Sequence, residues 1–238
     1  MRKSIALQQE LSPIFDITLD CEDGASAGNE AAHAELIACA DNRHQRIGAR
    51  VHTFGNPFFA QDVAIVCGKS RPVYVMLPKS ESMADVVAAF KHISREAQFS
   101  TAAAQQGAPI PVHVLIETHG TLDDAYVIAA LPQVQSLSFG IIAFISAHYG
   151  AIGDEAMHSP GQFDHTLAAR DNLTIAEACH AHGKVPSHNA TTDIRNADAA
   201  GASARRAAGK FAYTRMRSIH PPQIFPQRSR LDAGRERR

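Results

Sequence analysis

The sequence predicts an α/β protein built as a TIM-type (β/α)8 barrel, and three observations predict it. Short apolar, β-branched runs alternate with longer helical stretches in units of roughly 30 residues, the rhythm of a parallel sheet with helices outside it. The strand runs are near-continuously apolar, as expected when both faces of a sheet are buried. Almost every run then ends on a reactive side chain, and a barrel gathers its strand carboxyl ends around one mouth. The competing architecture, a doubly wound sheet, usually carries a glycine-rich phosphate loop. Neither GxGxxG nor GxxxxGK occurs in the chain.

The elements follow in order. The opening MRKSIALQQELSP is charged and helix-like, without the apolar core of a signal peptide. The first strand candidate, residues 15–20, ends in Asp20, with Glu22 and Asp23 just beyond. A helix is expected over 29–40. The second strand, 47–52, presents Arg50 and His52, and a helix is expected over 56–67. The third strand, 72–78, leads into Lys79, and Ser82 is a plausible N-cap for a helix over 82–98, with Asp85 suited to its first turn. Residues 100–108 form a loop. The fourth strand, 111–118, carries Glu117 and is followed by His119. Thr121 is the expected cap of a helix over 121–130. A fifth strand is expected over 134–144, and residues 148–164 form the longest non-periodic stretch, placed as a mouth loop or lid. Helices are expected over 165–181 and 197–210. Strands over 184–189 and 213–221 end near His188 and His220. The count is seven strands where the fold has eight.

Composition excludes several classes. The chain has 238 residues, 45% hydrophobic and 20% charged, which suits a globular protein and not a disordered or fibrous one. No uncharged apolar run approaches ~18–20 residues, so no membrane span is expected. A net charge of −1 argues against a generic nucleic-acid binder. Ten Lys/Arg against Asp232 and Glu236 leave residues 205–238 at +8, so the remainder carries −9. The expected organisation is a single barrel domain over 1–225, shortened by its first strand, and a basic disordered tail over 226–238. Four scattered cysteines without a CxxC pair read as buried thiols, and the expected location is cytoplasmic.

The chemistry-bearing residues lie at the strand ends. Three carboxylates in four positions, Asp20, Glu22 and Asp23, repel one another if buried together, so they imply a hydrated site, a cation or basic partners. A helix-starting acidic turn is the bland alternative. Glu117 closes an otherwise apolar strand, where a carboxylate needs a partner. A Mg²⁺ ion or a salt bridge to Arg50 or Lys79 would serve. Arg50 offers a planar fork for a substrate carboxylate, and it also neutralises the acidic cluster. Lys79 suits phosphate, substrate or a carboxylate. His180 and His182 close a helix and complement its dipole more simply than they bind zinc. His188 and His220 follow strands and are the better mouth candidates. No GxSxG motif occurs.

Seven motifs in order, LDCEDGA, ARVH, MLPKSES, LIETHGTL, IAALP, SFG and SIHPPQI, resemble the HpcH/HpaI aldolase and citrate lyase β-subunit (CitE-like) family. The resemblance runs over residues 11–224, and SAHYGAI, SPGQFDH and CHAHGKVPSHN look like its CoA-ester-lyase-like branch. It implies a (β/α)8 barrel, usually oligomeric, that cleaves a C–C bond beside a carbonyl in a hydroxyacyl-CoA or related hydroxy or keto acid. It implies Mg²⁺ as cofactor, with Glu117 as metal ligand and Arg50 as the substrate-gripping residue. Asp20, Glu22 and Asp23 match the acidic strand-end cluster, while Lys79 and His220 are expected at the substrate. The partners implied are a small-molecule substrate and a second copy of the chain, with neither nucleic acid nor membrane. The family pattern after SFG places a second metal-binding Asp where this chain has Ala143. That departure, with the seven-strand count, points to an alternative, an impaired homologue that binds CoA esters or serves as a partner subunit; a thioesterase on the same scaffold is a further option.

Overall fold

A computed structural model of the chain describes residues 2–11, 14–44, 46–100, 109–194, 196–224 and 226. Among these residues, hydrogen bonding orders seven strands β1-β2-β3-β4-β5-β6-β7 in one sheet. This is the sequential α/β order of a TIM-type barrel one strand short of eight. The chain divides into two compact units, Met1–Val114 with Pro132–Val134, and Leu115–Leu131 with Gln135–Arg238. No helix among the described residues is long and apolar enough to cross a membrane.

The first unit starts with α1 (Arg2–Glu10) and continues through β1 (Ile17–Asp20), α2 (Glu30–Ala38), β2 (Ile47–Arg50), α3 (Phe59–Lys69), β3 (Val75–Leu77) and α4 (Met83–Ala97) into β4 (Val112–Ile116), whose Leu115 and Ile116 are counted with the second unit. Its strand pairs are parallel, with Asp20 opposite Arg50 and Arg50 opposite Met76. Alternation sends Ile17, Leu19, Ile47 and Ala49 to one face, where they pack with Ala34 and Ile37 of α2 and Val66 of α3. The opposite face is more polar. There Tyr74 stacks on His113 with ring centroids 3.9 Å apart, and its hydroxyl lies 2.7 Å from Thr18 Oγ1. Gly48 is required beneath this ring, because a Cβ there would overlap it. Ser82 caps α4 as expected. Its Oγ accepts from the Asp85 amide at 3.3 Å, while Asp85 Oδ2 accepts from the Glu81 amide at 2.9 Å.

The second unit holds α5 (His119–Asp123), α6 (Ala125–Ala130), β5 (Val134–Phe139), α7 (Ile141–Ser146), α8 (Gly161–Asp164), α9 (Thr166–Ala181), β6 (Val185–His188), α10 (Ala197–Phe211) and β7 (Arg215–Met216). Pairs β5–β6 and β6–β7 are parallel. Three expectations are corrected here. The cap after β4 is Thr118, not Thr121. Thr118 keeps an extended backbone and accepts from the Thr121 amide at 3.2 Å, so the helix starts at His119, ahead of the expected 121. The helix expected over 121–130 is broken at Asp124, which belongs to neither α5 nor α6. The strand expected to reach 144 ends at Phe139, and the apolar run beyond Gly140 is α7, since continuous apolarity cannot separate a buried strand from a buried helix. The stretch 148–164 is partly ordered into a 3-10 turn (Asp154–Met157) and α8. The expected loop over 100–108, Ser100 apart, and the expected tail over 226–238, Pro226 apart, lie outside the described residues.

His188, one of the two mouth candidates, is a core residue. It is fully buried, stacked on Phe163 at 5.2 Å and edge-on to Tyr213 at 5.0 Å. Its Nδ1 lies 3.2 Å from the Asn189 carbonyl, and since a carbonyl can only accept, Nδ1 carries the proton. Burial disfavours the imidazolium and pushes the pKa down to about 4. The sign follows. The unfolded chain binds this proton below about 6.5 and the folded chain does not, so stability is intact above that pH and lost as pH falls towards 4. From pH 7 to pH 5 this group alone is expected to remove about 2 kcal/mol. Urea unfolding of wild type and His188→Gln at both pH values checks it, and an equal pH dependence in the two proteins would refute the assignment.

Candidate functional site

In the first unit, the carboxyl ends of β1, β2 and β3 build a charged cluster. Asp20 ends β1 and Arg50 ends β2, in direct register. The Arg50 fork grips Asp20 with Nε to Oδ1 at 2.7 Å and Nη2 to Oδ2 at 2.5 Å. Its Nη1 sits 3.0 Å from Glu22 Oε2 and 3.8 Å from Asp23 Oδ2. Lys79 Nζ donates to Glu22 Oε1 at 2.5 Å and to both Asp23 oxygens at 2.9 Å. Three acids and two bases thus form one network of net charge −1. The turn that carries the acids is locally determined. The Glu22 amide donates to Asp20 Oδ1 at 3.0 Å and the Gly24 amide to Oδ2 at 2.8 Å, and a side chain at Gly24 would collide with that carboxylate.

The protonation of the cluster follows from its contacts. Burial works against the Asp20 carboxylate, but the Arg50 guanidinium and two backbone amides outweigh it and hold its pKa below the ordinary range. Desolvation likewise opposes charge on Arg50 and Lys79, and the surrounding carboxylates outweigh it, so both stay firmly protonated. Lys79 also adopts a left-handed backbone with φ of 46°, an unfavourable state for a side-chain-bearing residue, and its carbonyl accepts from Thr53 Oγ1 at 3.2 Å. Asp20, Glu22, Asp23, Arg50 and Lys79 are therefore brought together, and of the two sequence readings of Arg50 its neutralising role is visible. Glu22 Oε2 is buried and among the described residues its contact is the ion pair with Arg50, without a hydrogen bond of good geometry.

Glu117 belongs to the second unit, one residue past β4, and is buried at 8% exposure. Gly140 packs on it so closely that a Cβ would overlap its side chain. Beyond Glu117, His119, Phe144 and His148 cluster with ring centroids 4.9–5.0 Å apart. His119, Asp123, His148, Arg170 and Thr174 line a cavity of about 420 Å³. Sequence reasoning missed this cavity, since α9 contributes to it from fifty residues away. His220 is exposed and caps the 3-10 turn Pro221–Gln223, whose Gln223 Oε1 accepts from the His220 amide at 3.2 Å. His180 and His182 stand at the end of α9, with His180 Nε2 2.9 Å from the Ala212 carbonyl.

Among the described residues no group of three or more His, Cys, Asp or Glu converges as a metal cage. The acids of the first cluster are engaged by Arg50 and Lys79, and position 143 in α7 is an alanine. Of the two acids that the resemblance assigns to magnesium, one is present, Glu117. That ion binds through one or two carboxylates, with waters and substrate oxygens completing its shell. Glu117 is one such carboxylate.

The family model described as HpcH/HpaI aldolase/citrate lyase matches residues 11–208. Solved structures are similar over most of the chain. A citrate lyase from Burkholderia xenovorans LB400 is 47% identical with a TM-score of 0.91, over 96% of this chain and 72% of that one. The protein CitE from Mycobacterium tuberculosis, in complex with magnesium, acetoacetate and coenzyme A, is 25% identical with a TM-score of 0.73, over 91% and 72%. The citrate lyase β subunit complexed with oxaloacetate and magnesium, also from M. tuberculosis, shares the fold with a TM-score of 0.74 at 24% identity, over 91% and 86%. No curated protein sequence matches the chain.

Proposed function

The chain belongs to the HpcH/HpaI aldolase/citrate lyase family, and from that premise we propose that it is a Mg²⁺-dependent carbon–carbon lyase acting on a hydroxyacyl-CoA or a related hydroxy or keto acid. The observation that carries this reading is the Arg50 network at the strand carboxyl ends, on residues that match the family's motif. It agrees with relatives whose structures hold magnesium, small keto or carboxylic acids and coenzyme A.

The roles follow from each residue's chemistry. Arg50 has five N–H donors, and Asp20 takes two of them, in the plane of the fork. Nη1 also faces Glu22 at 3.0 Å, and the two Nη hydrogens left over take the carboxylate of the hydroxy-acid half. Asp20, Glu22 and Asp23 orient Arg50 and Lys79 before substrate arrives, so little reorganisation is needed on binding. Lys79 carries positive charge at the same strand ends, and His220 is a substrate-side residue by its family position. Glu117 would hold the Mg²⁺, which when bound supplies Lewis acidity at the oxygen next to the bond that breaks. Removal of the hydroxyl proton then breaks the C–C bond and leaves a thioester enolate, which electrostatic preorganisation stabilises. The chain acts as an oligomer in the cytoplasm.

Release of a keto acid and acetyl-CoA from citramalyl- or malyl-CoA tests the reading. No turnover by the folded protein on either substrate would reject it.

Ala143 motivates a second reading, a CoA-ester binder without turnover. Binding of coenzyme A in calorimetry without cleavage supports that one. Restoring the acid is informative under both. Ala143→Asp is expected to tighten Mg²⁺ binding by at least tenfold in titration calorimetry, since a second carboxylate adds charge and an oxygen ligand. Unchanged affinity would contradict the metal assignment.

A further inference from the structure

Beside the Arg50 network stands a pair to which the roles above give no task. His52 lies two residues past the end of β2, and its Nδ1 is 2.7 Å from Asp62 Oδ2 on α3. The same oxygen accepts from the His52 backbone amide at 2.9 Å. Asp62 is completely buried in an otherwise apolar stretch of α3, and its Oδ1 has no hydrogen-bond partner among the described residues. Nothing in the packing of α3 requires an acid there, since Phe59, Val63 and Val66 on the same helix are buried hydrophobes. The His52 side chain keeps 12% exposure, so solvent reaches it. The Phe58 ring lies against it at 5.5 Å, and the charged groups that act on the pair are Asp62 itself and Glu30 at the start of α2.

We propose that His52, held by Asp62, is the proton-transfer residue of this lyase, with Asp62 as its positioning residue. The proposal rests on the lyase reading above. Burial pushes the Asp62 carboxyl up while the two His52 donors pull it down; as a carboxylate Asp62 can only accept, which puts the imidazole proton on Nδ1 and leaves Nε2 a bare acceptor. Two donors from one residue to one carboxylate oxygen fix the ring against rotation, the arrangement that makes a histidine an oriented base. In the reaction, His52 Nε2 takes the proton of the substrate hydroxyl. The C–O bond becomes a carbonyl, the adjacent C–C bond breaks, and its electron pair forms the thioester enolate. The imidazolium then returns the same proton to the enolate carbon, giving acetyl-CoA and a keto acid with histidine restored. Proton and electrons balance with no added reagent.

The test uses the full chain, citramalyl-CoA as substrate, and histidine-labelled protein for nitrogen NMR. His52→Gln is expected to lower kcat by at least a hundredfold with KM within about threefold, the range for loss of a general base. Asp62→Asn is expected to lower kcat with a similar split, and to reverse the tautomer so that Nε2 of His52 becomes protonated. Circular dichroism separates these effects from misfolding. A wild-type enzyme that turns over while His52→Gln keeps full kcat would overturn the proposal and leave the lyase reading standing. So would a wild-type spectrum with His52 protonated on Nε2. If wild type cleaves neither citramalyl- nor malyl-CoA, the lyase reading fails on its own. The His52 nitrogen signals are then followed on adding pyruvate, where a shift supports contact with a keto acid and no shift overturns it.

Discussion

Replacing Arg50 with lysine is expected to lower kcat/KM on a hydroxyacyl-CoA by at least a hundredfold while the protein still folds. Lysine keeps the positive charge but presents a single rotating donor head in place of a planar fork. It cannot hold both Asp20 oxygens as Nε and Nη2 do at 2.7 and 2.5 Å and still offer a flat pair of donors to a substrate carboxylate. Arg50→Ala is a harsher change. It leaves Asp20, Glu22 and Asp23 facing Lys79 alone, and removing one member of a largely buried ion-pair network costs about 3 kcal/mol. The two variants therefore separate the roles of Arg50. Steady-state kinetics with urea unfolding on both is the check, and a lysine variant with unchanged kcat/KM would leave Arg50 a merely neutralising residue.

The second large effect is expected at Glu117. Glu117→Gln preserves volume and removes the charge. Turnover is expected to fall by at least a hundredfold and Mg²⁺ binding to be lost from calorimetry, because loss of Lewis-acid assistance is worth several kcal/mol in such reactions. Stability is expected to stay within about 1 kcal/mol, since a neutral amide carries less desolvation cost in a site with 8% exposure. Full activity in Glu117→Gln would remove the metal from the account.

Much of the fold was legible because the strand runs carry their own signal. The positions of β1 to β5 follow from runs that carry β-branched apolar residues, and the parallel order follows from their alternation with helices, whereas β6 (VPSH) and β7 (RM) carry little of that signal and β7 is two residues long where a strand over 213–221 is expected. What failed was local. The run FGIIAF has no period of two or of 3.6 strong enough to reveal that Gly140 ends a strand and Ile141 begins a helix. Thr118 and Thr121 compete as caps within one turn, and only the backbone distinguishes them.

The site divides in the same way. Asp20, Glu22, Asp23, Arg50 and Lys79 stood out as charges on strand ends, and their network could be read because adjacent parallel strands put i and i+30 side by side. His188 misled, since a histidine after a strand looks the same whether it faces a mouth or a core. Asp62 was missed although a signal existed, a lone acid inside FFAQDVAIV at a position that must face inward. Its partner lies ten residues back, and the pairing is a tertiary contact that spacing alone does not specify.

The most direct test of the account is product identification. Citramalyl-CoA labelled with ¹³C is incubated with the full chain, with Mg²⁺ and then with excess EDTA, and the products are read by NMR. The account predicts labelled pyruvate and acetyl-CoA in equal amounts, formed with Mg²⁺ and absent with EDTA. Citramalate with free CoA, or a substrate left intact by folded protein, would contradict it.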